Sequence, residues 1–167
     1  MAQIAKQLNK PGVLRVGFFE NATYPDGTKV AMVAAIQELG APKAKIPPRP
    51  FFRNMIAAKS PEWPRVVKTQ LKANNYDVEK TLRIMGQGIR DQLQESIRNT
   101  LTPALSPVTL MLRKMKKKNP GLKVTRATVG EAARRVKAGE STAGVSTKPL
   151  IETAVLINSV QFEVKTS

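Results

Sequence analysis

The spacing of apolar residues changes several times along this chain, and each change predicts an element. In "VLRVGFF", Val13–Phe19, apolar side chains alternate. Leu14, Val16 and Phe18 share one face of a predicted strand. Gly17 falls in the other row, where a neighbour can approach closely. "YPDGT", Tyr24–Thr28, predicts a turn, with proline fixing φ and glycine supplying a positive one. "VAMVAAIQELG" fits helix or strand. Its alanines, the spacing of Met32, Ile36 and Leu39, and the closing Gly40 favour a short helix with a glycine stop.

Prolines at 42, 47, 48 and 50 make "APKAKIPPRP" an extended loop. "FFRNMIAAK" predicts a short helix opening after Pro50. "SPEWPRVVKTQLKANN" predicts another, with Ser60 as its cap, Pro61 in its first position and Trp63, Val67 and Leu71 on one face.

The clearest pattern runs from Asp77 to Leu101. Val78, Leu82, Met85, Ile89, Leu93, Ile97 and Leu101 recur every three or four residues, predicting a long helix stopped by Pro103. Gly86 and Gly88 lie inside it, where each costs about 1 kcal/mol relative to alanine, so close packing or a bend is expected. They are not a nucleotide loop, because they neither follow a strand nor open a helix. Two short helices are expected near 107–118 and 128–138, followed by a Gly/Ser/Thr linker at 139–147. At the end, a helical turn precedes a strand in which Val160, Phe162 and Val164 alternate with Gln161, Glu163 and Lys165. Pairing of this strand with Val13–Phe19 ties the two ends of the chain together. The expected fold is one α+β domain over residues 1–167, a long central helix on a small antiparallel sheet. Residues 104–147 form a basic extended or helical arm within it, projecting or mobile.

Composition narrows the chemistry. Hydrophobic residues are 41% of the chain and aromatics 5%, so the core is mainly aliphatic. There are 28 Lys+Arg against 12 Asp+Glu, a net charge of +16 that attracts nucleic acid, anionic lipid or an acidic protein surface. Cysteine and histidine are absent, which removes thiol nucleophiles, thiolate metal sites and the commonest general base. We therefore expect no enzyme, no cofactor, no metal and no small-molecule substrate. "MAQIAKQLNKPG" does not read as a secretory signal, and no window approaches the roughly 20 apolar residues of a membrane span.

Two stretches remain as candidates. The basic run holds Arg113, Lys114, Lys116, Lys117, Lys118, Lys123, Arg126, Arg134, Arg135 and Lys137, with Glu131 and Glu140 its only acids. It suits DNA phosphates or an acidic partner, and equally a merely solvated face. It lacks the aromatics of a single-strand binder and shows no base-reading motif. In "IPPRPFFRNM", Ile46–Met55, adjacent Phe51 and Phe52 diverge by about 100° on a helix. One is expected in the core and the other toward a partner, so Arg49, Pro50, Phe51, Phe52 and Arg53 are a candidate oligomer or partner interface. Glu38 is expected to pair with Arg49 or Arg53.

"YPDGTKVAMVAAIQELG", "IPPRPFFRNMI", "LRIMGQGIRDQLQESI" and "KPLIETAVLINSVQFEV" together resemble a tailed-bacteriophage family. It comprises neck or tail-completion proteins similar to the HK97 tail-component family and to minor tail proteins of lambda-like phages. The resemblance covers about residues 12–103 and 148–165 and omits the basic segment. Its marks are Glu38, Leu39 and Gly40 followed by Arg49, Pro50 and Phe51, and the closing set Pro149, Leu150, Ile151, Glu152, Thr153, Ala154, Leu156, Ser159 and Val160. Glu152 and Ala154 stand where the family usually has aspartate and glycine. The resemblance implies a structural virion protein, assembled in the host cytoplasm. It would form a homo-oligomeric ring, of six subunits, at the head–tail junction, beside other neck and tail proteins and with double-stranded DNA in its lumen. A tail-tube terminator ring, or a non-specific DNA-binding protein acting through residues 113–137, is the alternative.

Overall fold

A computed structural model describes residues 11–150 and 154–166. The fold is α+β. Strands β1 (Gly12–Phe18) and β2 (Val160–Thr166) pair antiparallel in unbroken register, from Gly12 opposite Thr166 to Phe18 opposite Val160. Between them come α1 (Val30–Leu39), α2 (Phe51–Lys59), α3 (Trp63–Ala73), α4 (Val78–Asn99), α5 (Pro107–Lys118), α6 (Arg126–Lys137) and the short α7 (Val155–Asn158).

The long helix α4 organises the body. Asp77 caps it by accepting a hydrogen bond from the Lys80 N–H at 2.9 Å. Met85, Ile89, Leu93 and Ile97 are buried along its inner face, as their spacing predicts, while Leu101 lies beyond the helix and is 55% exposed. Burying such side chains contributes about 1.5–3 kcal/mol each. Leu14, Val16 and Phe18 of β1 pack against this core, with Val160 of β2 inside it. Gly86 lies where the sheet crosses the helix. A Cβ there would run into the Phe162 ring and come 2.9 Å from Leu14 Cδ1, so this glycine serves close packing. Gly88 faces open space.

Three local expectations are corrected. In α1 the buried positions are Val30 and Ala34, while Met32 and Leu39 are 53% and 65% exposed. The helix is apolar nearly all round, so spacing did not select its inner face. Ser60 does not cap α3. It sits in right-handed helical conformation (φ −60°, ψ −29°) within a 3₁₀ turn, Ser60–Glu62, that links α2 directly to α3. A capping side chain needs extended backbone, which is absent there. Finally, α6 starts at Arg126 because Thr125 and Thr128 form a reciprocal capping box.

The basic arm is a helical hairpin, joined to the body through the Lys116–Asp26 pair and through Arg113's bonds to residues 146–149. Helices α5 and α6 pack on each other, with Met111 and Ala132 fully buried outside the main core cluster.

Candidate functional site

The proline-rich segment turns inward. Phe51 is 1% exposed and meets Phe18 edge-on, ring centroids 6.2 Å apart. Phe52 is half-buried against the core, its ring 3.8 Å from where a Gly17 Cβ would stand. That is ordinary contact rather than the close approach expected at Gly17, whose φ of 156° is instead its distinctive feature. Arg49 is 3% exposed, and its guanidinium donates to Gln37 Oε1 at 2.9 Å and to the Pro103 carbonyl at 3.1 Å. Burial pulls this guanidinium below its usual pKa.

Of the two predicted partners, Glu38 takes Arg53, at 2.8 Å. It also accepts from the backbone N–H groups of Phe52 (2.8 Å) and Arg53 (3.2 Å). Pro50, at the cap position of α2, supplies no side-chain acceptor, so a carboxylate from the preceding helix does this work. The candidate interface Arg49–Arg53 divides. Arg49 and Phe51 are corrected to enclosed positions within the subunit, while half-buried Pro50 and Phe52 and the 62% exposed Arg53, paired with Glu38, lie at its surface.

The ten arm cations separate into distinct environments. Arg113 is 7% exposed and donates to the carbonyls of Ser146 (2.7 Å), Lys148 (2.8 Å) and Pro149 (2.9 Å). It locks α5 to the segment leading back into the body and is corrected from a residue facing DNA or an acidic partner to a structural one. Lys116 pairs with Asp26 of the Tyr24–Thr28 turn at 3.3 Å. The Asp26 carboxyl is held down to about 2, first by its hydrogen bonds from Thr28, then by Lys116. Lys114 pairs with Glu140, while Arg134 and Arg135 share Glu131, whose pKa the Arg135 hydrogen bond lowers. Lys117 donates to the Gly144 carbonyl at 3.0 Å. Lys118, Lys123, Arg126 and Lys137 are exposed and have no acidic partner among the described residues.

Between α1 and the hairpin runs a groove of about 850 Å³. Met32, Val33, Ile36 and Leu150 supply apolar walls, and Lys29, Lys116 and Lys123 supply positive charge. Sequence reasoning missed it, because its walls come from three segments far apart in the chain, around α1, α5 and residues 149–156. Among the described residues there is no cluster of three or more acidic side chains suited to a metal, and no helix long and apolar enough to cross a membrane.

No protein-family model, curated protein or solved structure matches the chain. Of the closing motif, Ile151, Glu152 and Thr153 lie outside the described residues, as do residues 1–10. Ala154 adopts a left-handed conformation (φ 58°) just before α7, the geometry a glycine would take more easily.

Proposed function

We propose that this chain is a structural subunit of a tailed-phage neck, a homo-oligomeric ring that joins heads to tails with DNA passing through it. The observation that carries the reading is the α5–α6 hairpin. It is a preformed basic element, tied by buried Arg113 to the segment that leads into an α+β body, with Lys118, Lys123, Arg126 and Lys137 facing solvent and without an acidic partner among the described residues. Such charge suits a surface beside DNA phosphates or an acidic neighbouring ring. The quoted sequence resemblance supports the same reading.

A stop codon in the gene, within its phage, tests it by electron microscopy of the lysate. DNA-filled heads beside finished, unattached tails are expected. Absent or overlong tails would instead make it a tail-tube terminator. Intact infectious particles overturn the structural role. They would favour the second reading, non-specific duplex binding by the same exposed cations.

A further inference from the structure

We propose that the outer edges of β1 and β2 are the two halves of a head-to-tail contact between copies of this chain, β1 of one copy pairing antiparallel with β2 of the next. The inference rests on the ring reading and specifies its seam. Each strand has one partner, the other strand. Beyond that ladder, no hydrogen bond reaches the backbone of either strand among the described residues. On each strand, alternate N–H and C=O groups point away from the partner without a hydrogen bond among the described residues, and outside the half-buried end at Phe18 and buried Val160 they are a template for a further strand.

The edges carry few of the usual protections, three charged side chains in fourteen residues. Both strands lack proline, the register has no bulge, and β1 has no lysine. Val13 on the outer face of β1 is 53% exposed. Charge favours a second copy here. β1 carries only Arg15, and in β2 Glu163 and Lys165 cancel, so these strands are nearly neutral within a chain of net charge +16. Copies otherwise repel one another, and this is a place where their surfaces can meet at low electrostatic cost.

The pairing chemistry is already realised within one subunit. Arg15 donates to Glu163 at 3.2 Å across the sheet, through one guanidinium nitrogen, with its side chain 62% exposed. The remaining donors of that guanidinium can take a second carboxylate across a seam. Strand direction also fits. β1 and β2 run oppositely, so a repeated copy brings β1 antiparallel beside β2 without reversing any strand. Two different edges that complement each other make a heterologous contact, the kind that closes rings.

The chain contains no cysteine, so single-cysteine variants carry one thiol each. Val13→Cys and Lys165→Cys occupy exposed positions on the same face of the sheet. The two purified variants are mixed, treated with a short bifunctional thiol cross-linker whose reach is below two strand spacings, about 9.5 Å, and run on a denaturing gel, with untreated wild type followed by native mass spectrometry. The expected result is a cross-linked dimer in the mixture and none in either variant alone. Cross-linking of Val13→Cys alone means β1–β1 pairing about a two-fold axis and overturns the head-to-tail seam. Rings by native mass spectrometry without cross-links overturn edge pairing and leave the ring standing. Monomers without cross-links also overturn it, while the lysate experiment separately decides the ring.

Discussion

Glu38 reaches from the end of α1 to the first N–H groups of α2, and that one carboxylate joins two helices. Glu38→Ala removes two acceptor contacts and the Arg53 pair. It is expected to destabilise the fold by about 1–3 kcal/mol, the range for leaving helix-terminal donors unmet. Urea unfolding checks it as a lower midpoint at unchanged slope. Asp26 makes a prediction in pH. Its pKa falls from 3.8 to about 2 on folding. A carboxyl depressed in the folded state adds stability that is present above its unfolded pKa. That stability is lost as pH falls from about 4 through 2. Asp26→Asn is expected to flatten the urea midpoint over that window, because the remaining amide no longer titrates. An identical acid profile in the variant would contradict the assignment.

The two glycines of α4 separate helix propensity from packing. Gly86→Ala is expected to cost about 1–3 kcal/mol, because the added methyl meets Phe162 and Leu14. Gly88→Ala, in open space, is expected to stabilise by up to about 1 kcal/mol. Thermal melts of both variants give opposite signs if the sheet rests on the helix at Gly86. The long helix and both strands were legible because their apolar spacing is unambiguous over many residues. The face of α1 was not, since Val30, Met32, Val33, Ala34 and Ile36 surround the axis with apolar groups. Nor was the inward turn of "RPFFR". Adjacent phenylalanines do diverge on a helix, but the core wraps far enough to take Phe51 fully and Phe52 in part. The arm cations looked alike in sequence. Only the fold shows that Arg113 is a buried clamp, because its three carbonyl partners lie 33–36 residues away.

For the whole molecule, charge is distributed unevenly, and that makes DNA association divisible by residue. Lys116, Lys114, Arg134 and Arg135 have acidic partners in the chain, so their attraction for a phosphate is partly satisfied already. Lys118, Lys123, Arg126 and Lys137 keep theirs. Each phosphate a cation neutralises releases condensed counterions and steepens the decline of log affinity with log salt by about 0.9. Replacing those four residues with glutamine is therefore expected to lower the slope for duplex DNA by roughly 3–4. The same number of glutamines at the four paired positions is expected to change it less. Arg113 is left out of both sets, because its removal would leave buried carbonyls unpaired and confound binding with unfolding. Affinity titrations across a salt series, with circular dichroism to confirm folding, measure both slopes. Equal slopes in the two variants would mean that the hairpin's exposed face is not the DNA-facing surface. An unchanged slope in both would move the hairpin's charge toward an acidic protein neighbour.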